Sequence, residues 1–197
     1  MKSLHVVRLA LLTISLFSFI MCGKKDEAQT GNTESKSEAQ AETPAISDRG
    51  DASAAFGTAT VSINYGRPKL QGRDMLAQAT DGMVWRMGMN EATEIKTDAD
   101  LKFGATVIPK GNYSLFMKKM SAEQWELIFN KKTGMWGTEY SAADDLASVP
   151  LNLAANSQAV EAFTVEVTAV NETAGALKAM WGTHILSSAF TVNAGGM

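Results

Sequence analysis

Between residues 65 and 91 the chain carries six side chains, close to turns, that could do chemistry: Tyr65, Arg67, Arg73, Arg86, Asn90 and Glu91. Arginines beside turns can clamp a carboxylate or phosphate through their forked guanidinium groups. Glu91 can serve as a general acid or base if it is desolvated. The same residues have a structural reading, because ion-pair networks resemble sites. Arg86 and Glu91 can pair with each other, or with Asp81 or Asp74, and tie loops to the rim of the fold. Arg67, just ahead of Pro68, carries the same two readings. Trp85 and Trp136 add aromatic surface. Tryptophans more often fill cores than stack on ligands. Trp136, in a loop between Gly134 and Gly137, is the one best placed for exposure and for stacking on a sugar ring. The ligand-binding candidates are therefore Tyr65, Arg67, Arg73, Trp85, Arg86, Asn90, Glu91 and Trp136, and no residue is assigned a catalytic role.

Other chemistries find little footing. The chain has two histidines, and His5 lies in the N-terminal apolar segment. His184 stands alone in a strand pattern, where a histidine is more often a surface or satisfied core residue than a metal ligand. Cys22 is the single cysteine, so an internal disulfide is impossible. Zinc would need carboxylates, and no tight carboxylate cluster supports it, so neither a metal nor a cofactor is expected. Gly-x-Ser-x-Gly, Gly-x-Gly-x-x-Gly and P-loop patterns are absent, which removes the nucleophile elbow and the common nucleotide cradles. A formal net charge of -3 without a clustered basic face argues against a nucleic-acid partner.

The elements that must position the candidates read as strands. Thr58 to Tyr65 alternates, with Val61, Ile63 and Tyr65 on one face, the pattern of a half-buried strand. Gly66-Arg67-Pro68 breaks it, Gly72-Arg73 follows as a second turn, and Asp74 to Ala79 has room for one helical turn. Beyond Asn90, Thr93–Thr97 alternates weakly, and Leu101 to Ile108 is apolar around Gly104. Pro109-Lys110-Gly111-Asn112 is a strong turn. Tyr113–Met117 and Trp125–Asn130 then read as a hairpin-like pair. Lys131 to Ser141 is a loop, and Leu146–Leu153 is extended. Val160–Val170 alternates most clearly, Asn171–Gly175 turns the chain, and Ala176–Trp181 with Thr183–Val192 reads as a closing hairpin. No window past the leader keeps a helical apolar period for three turns. The fold class expected is all-β, an antiparallel β-sandwich or partly closed barrel of about nine strands.

The N-terminus supplies an address. Residues 1–21 hold Lys2, Arg8 and an apolar run from Leu9 to Met21, which suits a signal peptide and is short of the ~20 apolar residues of a spanning helix. Cys22 follows at once and resembles the acceptor cysteine of bacterial lipoproteins, although Ile20 and Met21 are larger than the usual residues before it. Gly23 replaces the aspartate that retains some lipoproteins at the inner membrane, which favours the outer one. Losing the leader takes the basic residues from 18 to 16 against 21 acidic ones, a net charge near -5. Residues 22–50 are polar and low in apolar content, the composition of a disordered tether reaching roughly 30 Å. Residues 51–197 form the folded domain. The expected location is the cell envelope, facing periplasm or surface, with the membrane as a partner through a lipid on Cys22.

Taken together, Tyr65-Gly66-Arg67-Pro68, Gly72-Arg73, Val84-Trp85-Arg86-x-Gly88-x-Asn90-Glu91-Ala92-Thr93, Pro109-x-Gly111-x-Tyr113-Ser114-Leu115-Phe116 and Trp136-Gly137 resemble the bacterial DUF2911 family over roughly residues 52–193. The resemblance implies a secreted or envelope-attached β-rich domain and carries over no catalytic residue. Asp48–Ala52 departs from the family's usual Ser-Pro-x-Ala start. Met87 and Met89 replace smaller residues, narrowing or greasing any pocket there. The leading expectation is a non-catalytic module that binds a small anionic or sugar-like ligand, or an envelope partner, near Arg67, Arg73, Arg86, Asn90 and Glu91. A hydrolase of envelope glycan or peptide with Glu91 as acid/base is the alternative, and a purely structural domain the third.

Overall fold

A computed structural model describes residues 48–193. The leader, Cys22 and the tether up to residue 47 lie outside the described residues. Ten strands occupy most of the described chain: β1 (Arg49–Phe56), β2 (Ala59–Gly66), β3 (Val84–Trp85), β4 (Thr93–Thr97), β5 (Asp100–Phe103), β6 (Thr106–Ile108), β7 (Gly111–Lys119), β8 (Gln124–Asn130), β9 (Asp145–Asn171) and β10 (Ala174–Asn193). All pairings are antiparallel, in the order β1-β2-β4-β7-β8-β9-β10-β5-β6, with the two-residue β3 added on β7. The sheet folds over on itself as a sandwich and does not close into a barrel, since β1 and β6 end it unpaired with each other. No helix of the described residues is long and apolar enough to cross a membrane.

The fold-over is made by β9 and β10. Gly182 pairs with Val160, yet His184 pairs with Ala155, so β9 spends five residues where β10 spends two. Extra residues on one strand bend a ladder and raise its twist. Gly182 takes φ +59° at that point, a left-handed value that a glycine adopts without penalty. This corrects the expected closing hairpin. Ala176–Trp181 and Thr183–Val192 are one strand with a bulge, and the hairpin partner of β10 is β9, joined through the turn after Asn171. Leu146–Leu153 and Val160–Val170 likewise run on as a single β9. The helical turn at Asp74–Ala79 is present as one turn, with Gln78 N donating to Asp74 O.

Between the two leaves lies the main core, where Val61, Ile63, Ile95, Leu115, Leu127, Phe129, Phe163, Val165, Leu177 and Leu186 are all buried. An aromatic group joins the leaves. Trp85 stacks on Trp181 at 5.3 Å, and Phe163 meets Trp85 edge-on at 4.9 Å and Tyr65 at 5.8 Å. A second, smaller cluster lies on the outer face, where Ala92, Phe116, Ile128 and Met135 pack together with Val84 and Tyr140. It exists because β7 and β8 are apolar on both faces. Phe116 and Ile128 point away from the main core and are covered by the 131–144 loop through Met135 and Tyr140.

Candidate functional site

Gly66, Arg86–Glu91 and Trp136-Gly137 of the motifs meet at one place. The loop after β3 makes a sequence of unusual backbone turns: Met87 at φ 49°, Gly88 at 149° and Asn90 at 60°. A left-handed methionine is strained by roughly 1–3 kcal/mol and persists only where its surroundings hold it. Here Met87 is fully buried, and its carbonyl accepts from the Thr93 hydroxyl. The loop lies backbone-on-backbone against the end of β2, so that a Cβ on Gly66 would stand 2.2 Å from Met89 O. The 131–144 loop closes over the other side. Gly137 N donates to Asn90 O at 2.9 Å, Glu91 and Trp136 form an isolated bridge, and the Arg86 stem packs flush on Gly137.

The candidate side chains are placed unequally by this knot. Tyr65 is buried in the core and Trp85 is half-buried there, so neither presents a face to a ligand. Arg86 is half-buried, and its Nε donates to Gly88 O at 3.3 Å. Glu91 does not pair with Arg86, and neither Asp81 nor Asp74 forms an ion pair with Arg86. Glu91 holds Arg49 at 3.0 Å, with 58% of its own side chain exposed. Arg49 also donates to Asn64 Oδ1 at 2.6 Å and to the Ala92 carbonyl. Arg67 is half-buried, and its Nε is buried without a hydrogen-bond partner. Arg73 and Asn90 are exposed, Arg73 in the turn where its N–H donates to Leu70 O. Trp136 is 53% exposed, as its glycine-flanked position predicts. Asn90, Glu91, Arg86 and Trp136 are thus neighbours on one rim, but none of the eight candidates lines any of the four hollows described in this domain.

The largest of these four lies at the bend of β9 and β10. It is a groove of about 930 Å³ lined by Gln124–Glu126, Pro150–Ala155, Thr183 and His184 together with Met120 and Glu123. A smaller hollow of about 190 Å³, lined by Leu76, Ala77, Lys119, Ala122, Trp125, Leu153, His184 and Leu186, shares three of those residues with it. His184 stands where the two adjoin, and its Nε2 lies 3.0 Å from Asp74 Oδ2. The other Asp74 oxygen accepts from Ala77 N at 2.9 Å. Burial works to raise the Asp74 pKa, but the Ala77 amide, the His184 contact and the Leu76 amide outweigh it and leave the carboxyl below its usual range. An ionised carboxylate only accepts, so His184 Nε2 is the donor in this contact. The turn is also tied to β7, since Lys119 Nζ donates to Ala79 O at 2.8 Å and lies 5.8 Å from the Trp125 ring centre. Among the described residues no group of three or more His, Cys, Asp or Glu gathers as a metal site.

Two of these residues escape a reading of the chain alone. Arg49 falls in the span assigned to the tether, yet β1 begins with it. Its polar neighbours Asp48, Gly50 and Asp51 hide a strand whose alternation starts only at Ala52. His184 looks solitary because its partner is 110 residues away. The one local signal is Gly182, a glycine inside a strand pattern, which marks a bulge.

No curated protein and no solved structure gives a significant match to this chain. One family does: over residues 47–190 the chain matches DUF2911, a protein family of unknown function, and it belongs to that family.

Proposed function

We propose that this protein is a non-catalytic binding module of the cell envelope, carried on a lipid at Cys22 through the 22–50 tether, and that its ligand docks in the groove at the β9–β10 bend. The observation that carries the reading is the groove itself. It is the largest hollow described, and its lining mixes apolar residues such as Leu151 and Leu153 with polar ones, Asn152, Gln124 and His184, the general make-up of ligand sites. The knot around Gly66 and Gly88 then serves the fold, consistent with its backbone-on-backbone packing and with the Arg49–Glu91 pair at its surface. Glu91 as a hydrolytic acid/base is the weaker reading, because the carboxylate stands in solvent beside a cation. A sugar-like ligand stacked on Trp136 is a second reading, favoured by that indole's exposure.

A fragment screen by protein-observed NMR separates these readings. Hits are expected to shift Trp125, Leu151–Ala155 and His184, and Ala155→Trp, a change at an exposed groove position, is expected to abolish them while Trp136→Ala leaves them intact. Hits confined to Trp136, Asn90 and Glu91 would move the site to the rim. The anchor is tested by labelling cells with a radioactive fatty acid. Wild type should take up label and Cys22→Ala should take up none, and equal labelling would remove the lipid from the proposal.

A further inference from the structure

Four arginines lie among the described residues, and their guanidinium groups are served differently. Arg49 is held by Glu91, Asn64 and the Ala92 carbonyl. Arg86 has Gly88 O, and Arg73 is exposed. Arg67 is half-buried with no acceptor for its side chain: Nε is closed off from solvent and unpartnered, and the terminal nitrogens are unpartnered but open to solvent. Buried donors are ordinarily hydrogen-bonded, so such an exception asks for a reason. A second unpartnered donor stands beside it. Tyr65 is only 4% exposed, yet its hydroxyl has no hydrogen-bond partner and reaches solvent. Gly50 lies opposite Tyr65 on β1, and a Cβ there would stand 2.8 Å from Arg67 Cδ and 3.0 Å from the Tyr65 hydroxyl oxygen. The bare Gly50 backbone therefore seats both side chains, and phenol and guanidinium stem share one notch. Their mount is fixed. Arg67 N donates to Asp48 O at 2.7 Å, Pro68 O accepts from Phe163 N at 2.8 Å, and the Tyr65 ring meets Phe163 edge-on.

We propose that Tyr65 and Arg67 form a binding site for a carboxylate, independent of the groove and sharing no residue with it. The ligand's oxygens take the terminal nitrogens of Arg67 side by side, the planar match that a guanidinium offers a carboxylate. The Tyr65 hydroxyl donates to one of them. Both groups offer protons that the protein leaves unused, so an acceptor can bind them without displacing a native partner. Charge selects a monoanion. The notch itself holds one guanidinium. Lys69 is the next cation along the chain, and two acids border the same segment: Asp48, exposed, with its carbonyl on Arg67 N, and Glu161, with its carboxylate on Gln71 N. Lys69 and these acids leave no surplus of positive charge for a phosphate dianion. The carboxylate can belong to a free small acid or to a peptide terminus.

The test uses the full chain carrying Cys22→Ala and follows the Arg67 Nε–H and Tyr65 ring signals by NMR at constant ionic strength. Acetate is expected to shift both saturably, roughly tenfold more tightly than acetamide, which has the shape without the charge, and more tightly than inorganic phosphate. Arg67→Gln is expected to abolish acetate binding. Tyr65→Phe, which keeps the ring and its contact with Phe163, is expected to weaken it about fivefold. Asp48→Asn removes a neighbouring acid and is expected to tighten it about twofold. The last two variants keep the test alive should Arg67→Gln fail to fold. Acetyl-trialanine, which ends in the same group, separates the sources: binding tighter than acetate assigns the carboxylate to a peptide terminus, and binding no tighter assigns it to a free small acid. Acetamide or phosphate matching acetate would overturn the carboxylate. Acetate binding unchanged in Arg67→Gln or in Tyr65→Phe, or unsaturable shifts spread over the lysines and arginines, would overturn the site. None of these outcomes touches the groove, whose fragments report at Trp125 and His184.

Discussion

Gly66→Ala is expected to cost about 3–5 kcal/mol, at the upper end of overpacking substitutions, and to lower the melting temperature by roughly 10 °C. The added Cβ would stand 2.2 Å from Met89 O and 2.6 Å from Met89 N. Those are backbone atoms, so no side chain can swing aside to make room. Moving the loop instead would strain what holds it: the Thr93 hydroxyl on Met87 O, Gly137 N on Asn90 O, and the bridge between Glu91 and Trp136. The end of β2 is no freer, because Arg67 N donates to Asp48 O at 2.7 Å directly beyond it. Gly72→Ala is the control. Its φ is +75° with open space around the position, so it carries only the left-handed backbone penalty of roughly 1–2 kcal/mol. Urea unfolding of the two variants beside wild type decides the matter, and a Gly66→Ala protein within about 1 kcal/mol of wild type would show that the contact is not tight.

Phe163→Ala is the second large effect, expected at about 3–5 kcal/mol from lost burial and the cavity left behind. Phe163 is fully buried and touches Tyr65, Trp85 and Trp181 edge-on. Those three rings come from β2, β3 and β10, so one deletion loosens the contact between the leaves at several strands together. Because Trp85 and Trp181 stack with only 10° between their planes, near-UV circular dichroism should change along with stability. Phe163→Leu keeps most of the volume and is expected to cost about 1.5 kcal/mol or less. Equal losses for Leu and Ala would show that ring geometry, and not filled space, decides stability here.

Much of the strand content was legible because half-buried strands write their burial as alternation. Val61, Ile63 and Tyr65 show it, and so do Phe163, Val165 and Val167. β7 and β8 blur the pattern, since Phe116 and Ile128 serve the outer cluster while Leu115 and Leu127 serve the main core. Whether a glycine ends a strand or bulges it depends on the partner strand, which local composition does not describe. Gly182 therefore reads as a turn until β9 is laid beside it. Of the candidate residues, Arg86, Asn90, Glu91 and Trp136 do share one rim. The His184–Asp74 contact was invisible because it joins residues with no local relation, brought together by the bend.

The way β9 and β10 are paired also sets an order of events during folding. Their turn spans Asn171–Ala174, so the hairpin can zip from a short loop within roughly 1–10 μs of its strands becoming available. Closing the sheet is a different matter. β10 must find β5 with Thr191 opposite Lys102, and Phe163 must find Tyr65, each across most of the domain's length. Contacts that distant in sequence place a domain among the slow folders, on the scale of milliseconds to seconds. For that interval the hairpin waits with Phe163, Val165 and Leu177 uncovered. A newly made chain of this kind is then most open to self-association after its longest element has formed and before its two leaves have met.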